Sequence, residues 1–135
     1  MANDLAELRN FAVLYTEAWC SQDPANVAEF YSPDGSLCVN DDSPAVGRNA
    51  IRSLVQSFMT AFPDLRIVMD DLRLHGDEPE YHWTLSGTNT GPGGTGLRVC
   101  ISGFEKWRVG IDGLIVSSRG YFDAAEYRRQ LEQGI

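Results

Sequence analysis

The sequence predicts an α+β fold, a cone of three N-terminal helices packed on a curved antiparallel sheet, in one domain spanning residues 1–135. Three observations carry this. Apolar residues step by three and four in the N-terminal half and alternate by twos in the C-terminal half, the periods of an amphipathic helix and of a half-buried strand. Helical signals precede most of the strand signals, which sets the helices against one side of a sheet. A chain of 135 residues buries about two thirds of its unfolded surface in one core without staples.

From Asp4 to Cys20, the residues Leu5, Leu8, Ala12, Tyr15 and Trp19 make the stripe of a first helix. Tyr15 and Trp19 share its buried face, either as cavity wall or as plain core; a buried tyrosine hydroxyl needs a partner, which favours a polar or wet interior near it. Asp23 and Pro24 read as N-cap and first-turn proline of a short second helix that turns Val27, Phe30 and Tyr31 inward and stops at Ser-Pro-Asp-Gly. A short strand, Ser36 to Asn40, follows, and Asp41 to Pro44 form a turn. Gly47 then opens a third helix with Ile51, Leu54, Val55, Phe58 and Phe62 on one stripe, closed by Pro63.

The strands come next. Leu65 to Leu74 alternates except at Asp70-Asp71, where a bulge or bend is expected. After a turn at His75 to Pro79, the stretch Glu80 to Thr90 sets Tyr81, Trp83 and Leu85 on one face and His82, Thr84 and Ser86 on the other. The loop Gly-Pro-Gly-Gly-Thr-Gly (91–96) lacks the Lys-Ser/Thr of a phosphate-binding loop and joins strand to strand, so it reads as a connection. Two long strands then meet at a turn around Gly110, Asp112 and Gly113. Asp123, with Glu126 three residues on, fits a capping box before a closing helical turn or two.

That final hairpin organises the chain. Val99, Ile101, Gly103, Glu105 and Trp107 form the inward set of its first strand, and Leu114, Val116, Ser118, Gly120 and Phe122 that of its second. Glu105 is the one inward charge. Between Ile101 and Trp107 a carboxyl is expected to have a raised pKa, in the range useful for acid-base work; the alternative is a glutamate at the sheet rim reaching solvent, Arg98 or Arg119.

Composition narrows the partners. A net charge of −8 argues against nucleic acid and anionic membranes. Cys20, Cys38 and Cys100 lie far apart, as reduced thiols do, and no apolar run reaches a membrane span. Asp4 and Glu7 stand where a signal peptide would be basic or apolar, so the expected location is cytoplasmic. His75 and His82 have no metal-ligand spacing, and no metal or cofactor is expected. Asp123 as a helix cap already has a structural role.

The segments GTNTGPGGTG, SGFEKW, DGLI and YFDAAEYRRQL resemble the SnoaL-like branch of the nuclear transport factor 2-like superfamily, which includes polyketide cyclases, ketosteroid isomerases and limonene-epoxide hydrolases. The resemblance covers nearly the whole chain and implies a cavity-bearing cone and a homodimer across the sheet. It gives Tyr15 as the counterpart of the isomerase oxyanion tyrosine, and Glu105 as that of the cyclase histidine. It also implies absences. The isomerase's second donor falls at Gly103 and its base near Val39 or Asn40; the acid of the cyclases and hydrolases falls at Gly120; the hydrolase Tyr and Asn align with Leu37 and Val39, and its Arg-x-Asp with Thr84-x-Ser86.

The expectation is therefore a protein that binds an apolar, cyclic or polyketide-like molecule and performs cofactor-free acid-base chemistry. Glu105 is its acid or base and Tyr15 a donor, and His82 or Ser86 assist if their strand turns its even face inward. Trp19, Phe58, Phe62 and Trp107 form the wall, with Ser86 and Ser118 as further ligand-binding residues. The competing expectation is a non-catalytic binding or dimeric scaffolding module. Either form is expected to pair through Cys100, Ser102 and Phe104 on the outer sheet face, together with either Tyr81 and Trp83 or His82 and Thr84.

Overall fold

The computed structural model describes residues 5–135; Asp4, where the first helix is expected to begin, lies outside them. Helix α1, Leu5–Cys20, buries Leu8, Ala12, Tyr15, Ala18 and Trp19 along the stripe its spacing predicts. Leu5, at its outer end, is exposed. Helix α2, Pro24–Ala28, starts where Asp23 accepts a 3.0 Å hydrogen bond from the Ala25 amide.

The next segment departs from expectation. Tyr31 does not end α2; it begins strand β1, Tyr31–Val39, and Ser-Pro-Asp-Gly is an irregularity inside that strand, where the register shifts between Tyr31 and Ser36. A proline and a glycine suit a bulge as well as a stop, so the residues alone read either way. Strand β2, Ala45–Val46, was not expected at all, because two residues are too few to show a period. Helix α3, Arg48–Ala61, buries Ile51, Val55 and Met59 after Gly47, whose φ of 89° suits glycine.

Strands β3 (Arg66–His75), β4 (Glu78–Thr88), β5 (Arg98–Val109) and β6 (Ile115–Phe122) precede helix α4 (Ala124–Gln133). The expected irregularity at Asp70-Asp71 is a register shift between Met69 and Asp71. One six-stranded sheet results, in the order β2-β1-β6-β5-β4-β3. It is not wholly antiparallel: β1 runs parallel to β6, and the chain passes through β2, α3, β3, β4 and β5 before returning beside β1. Helix α1 lies against β3, and α3 against α2 and β1. The core fills the concavity between them, from Leu8 and Tyr15 to Trp107 and Ile115.

Helix α4 runs for 10 residues, longer than the expected turn or two. Asp123 caps it by accepting from the Glu126 amide at 3.0 Å, but Glu126 does not complete the box. Its carboxylate instead takes Arg129 at 2.8 Å and Gln130 at 2.8 Å, and Arg129 first and Gln130 next hold its pKa down at about 2. Gln130 in turn donates to the Cys100 carbonyl at 3.0 Å and accepts from its amide at 2.7 Å, tying α4 to β5. Asp123→Ala is expected to cost about 1 kcal/mol, read from the urea midpoint. Among the described residues no helix is long and apolar enough to cross a membrane.

Candidate ligand cavity and its buried carboxylate

Alternation along β5 buries Val99, Ile101, Glu105 and Trp107 and exposes Cys100, Ser102 and Arg108. On β6, Ser118 and Gly120 face inward as their spacing predicts. Ile115 and Val116 are reversed, Ile115 buried and Val116 exposed, because the register shifts where Val109 pairs with Ile115. An irregularity of one residue inverts every side chain beyond it. Glu105 thus lies opposite Gly120 on one side and Tyr81 on the other.

Three donors converge on one of its oxygens. Tyr15 Oη, Trp107 Nε1 and Ser118 Oγ donate to Glu105 Oε1 at 2.9, 2.8 and 2.7 Å. With its proton on Glu105, the Tyr15 hydroxyl accepts from Tyr31 Oη at 2.8 Å. Oε2 accepts nothing from the described residues, yet it is not a sealed, unpartnered atom; among those residues only Trp83 Nε1 is. Glu105 lines the cavity, and Oε2 is the oxygen that these three bonds leave free.

The balance of forces on this carboxyl is legible. Burial raises its pKa above the ordinary 4.5, and the bonds from Trp107, Ser118 and Tyr15 pull it back without cancelling the shift. Burial first, and the nearby Glu105 charge second, push Tyr15 and Tyr31 well above the usual phenol range, so both stay neutral. Tyr15→Phe is expected to cost about 1–2 kcal/mol in thermal stability and to move the Glu105 pKa further up, since it deletes a bond to the charged form.

The cavity is small and apolar. The space open to the centres of water-sized spheres is about 60 Å³, partly open to solvent, with a wall that includes Trp19, Leu37, Phe58, Tyr81, Trp83 and Tyr127 beside Glu105. By that measure a single water needs about 10–15 Å³, so the cavity takes several waters or one compact group.

The expected site residues divide into four sets. Glu105, Trp19 and Phe58 line the cavity. Tyr15, Trp107 and Ser118 stand behind the carboxylate and hold Oε1, and none of them lines the cavity. Phe62 is fully buried at the end of α3, beside Gly87 and 6.4 Å from the Tyr127 ring. His82 and Ser86 do not join the site. β4 buries Tyr81, Trp83 and Leu85, which turns its even residues to the outer face. There His82 pairs with Glu80 at 2.9 Å and stacks on Phe104.

Tyr81, Trp83 and Leu85 are cavity residues missing from the expected wall. Their alternation was the available signal; which face turned inward depended on the pairing with β5, where Trp83 lies opposite Gly103 and Tyr81 opposite Glu105. Tyr127 gave no such signal, because its position depends on where α4 packs. No group of three or more metal-ligating side chains that could hold an ion occurs among the described residues.

The SnoaL-like polyketide cyclase family matches residues 10–131, and the chain belongs to that family. No curated protein matches it. Among solved structures, TsrD from Streptomyces laurentii is 23% identical, with a TM-score of 0.80 over 95% of this chain and 96% of that one. The epoxide hydrolase/cyclase-like enzyme SalBIII, described for pyran ring formation in the polyether salinomycin, is 19% identical at a TM-score of 0.79, covering 93% and 97%. A hypothetical protein of ketosteroid isomerase-like fold from Catenulispora acidiphila, in complex with trimethylamine, is 14% identical at 0.79, covering 90% and 92%. These likenesses place the chain in the nuclear transport factor 2-like, or ketosteroid isomerase-like, fold.

Proposed function

We propose that the protein binds a small, mostly apolar molecule, cyclic or polyketide-like in part, and performs cofactor-free proton transfer on it with Glu105 as base or acid. The observation that carries this reading is the asymmetry of one carboxylate in a side chain that lines an apolar cavity: Oε1 is fixed by three donors while Oε2 is left free. Oε2 takes a proton from the bound molecule and returns it. Tyr15, Trp107 and Ser118 orient the group and temper its charge, and the apolar wall keeps bulk water from competing for the proton.

A suitable probe is 5-nitrobenzisoxazole, which needs only a base: Oε2 takes the ring C–H proton, the N–O bond breaks, and its electron pair ends on a phenolate oxygen. The wild type is expected to turn it over at least about a hundredfold faster than Glu105→Gln. Equal rates would favour a second reading, a non-catalytic binding module, which the missing acid at Gly120 supports. In either case we propose pairing through the outer face around Cys100, Ser102 and Phe104, exposed or half-buried here; a monomer in sedimentation at tens of micromolar contradicts that pairing.

A further inference from the structure

We infer that the cavity takes a tertiary ammonium group, its single N–H on Glu105 Oε2 and its alkyl groups against the surrounding rings. This rests on the reading of Oε2 as the cavity's working atom and adds the chemical class of the ligand. It begins from an uncompensated charge. The Glu105 carboxylate is held only by neutral hydroxyl and indole donors, and no lysine, arginine or histidine lines the cavity. A wholly apolar ligand would leave Oε2 bare in a drier site, at a desolvation cost that a cationic ligand offsets.

The wall selects the kind of cation. Trp19, Phe58, Tyr81, Trp83, Phe122 and Tyr127 contribute rings, and aromatic faces attract cations, most effectively those that are weakly hydrated. Donor counting narrows it further. A primary ammonium carries three N–H donors, of which the one bare oxygen satisfies one and strands the others. A tertiary ammonium carries one donor for that one acceptor. Its compact head suits a space of about 60 Å³, and the chain's net charge of −8 favours the approach of a cation. The contact is also the acid-base contact already proposed, since the shared proton lies between nitrogen and Oε2.

The test uses two molecules of one shape, 2-(dimethylamino)ethanol, protonated at pH 7, and its neutral carbon isostere 3-methylbutan-1-ol. Affinities are measured by NMR titration of the cavity-lining Trp19 and Trp83 indole signals. The wild type is expected to prefer the amine by at least about tenfold. Glu105→Gln should remove that preference while still binding the alcohol, and Trp19→Leu, which keeps the carboxylate, should weaken it several-fold. Should the alcohol bind as tightly as the amine to the wild type, the cation inference is overturned while the apolar cavity and its base stand. If neither binds and Glu105-dependent turnover of 5-nitrobenzisoxazole is also absent, both readings fail.

Discussion

Glu105→Gln is expected to lose proton transfer by at least about a hundredfold yet unfold no more readily than the wild type at pH 7. The two halves follow from one geometry. Glutamine keeps a carbonyl oxygen where Oε1 accepts from Tyr15, Trp107 and Ser118, so no buried donor is orphaned. What it removes is the base, together with the penalty of ionising a carboxyl that burial disfavours. The folded pKa is raised, so the wild type's contribution from this group is greatest below the unfolded value near 4.5; it declines as pH rises through the folded pKa and is flat above.

Other carboxylates run the opposite way. Asp64, held down first by the Thr88 amide, and Glu126, held down first by Arg129, contribute stability above their unfolded pKa that is lost as pH falls through the folded one. The profile of the wild type alone mixes both signs. The difference between wild type and Glu105→Gln isolates one group, and it should shift in favour of the variant as pH rises above 4.5. A variant destabilised at pH 7 by more than about 1 kcal/mol would show instead that the carboxylate sits comfortably charged.

Gly103→Ala is expected to destabilise the fold by about 3 kcal/mol or more in denaturant titration. A Cβ there would stand 2.3 Å from the Tyr121 carbonyl oxygen, 2.6 Å from Trp83 Cζ2 and 3.0 Å from Phe122 Cβ. Two of these are backbone or close to it and cannot yield cheaply. Gly120 is the contrast: its Cβ would meet nothing nearer than the Cys38 oxygen and Glu105 Cγ, both at 3.6 Å, so Gly120→Ala is expected to stay within about 1 kcal/mol of the wild type. Both glycines fall where the resemblance implies carboxylates in relatives. At Gly103 the Tyr121 carbonyl and Trp83 fill the space, whereas at Gly120 a Cβ would make only ordinary van der Waals contacts beside the cavity.

Much of this was readable from residues because a strand's faces are fixed by parity. The inward run Val99, Ile101, Glu105 and Trp107 needed only alternation, and the caps at Asp23 and Asp123 needed only their residue types. What escaped depended on neighbours distant in sequence. The bulge inside β1 and the inversion at Ile115 and Val116 are set by how β6 pairs on its two sides. The inward face of β4, which removes His82 and Ser86 from the site, is set by its pairing with β5. The gathering of Tyr15, Trp107 and Ser118 behind one oxygen joins a helix to two strands, and no local pattern announces it.

The proposed chemistry depends on the protonation of one group, and ¹³C NMR titration of the Glu105 side-chain carboxyl, assigned by its loss in Glu105→Gln, measures it directly. The enclosed carboxyl should titrate clearly above the ordinary 4.5; a value at or below that would make Glu105 an ordinary solvated glutamate and contradict its role as the cavity's acid or base.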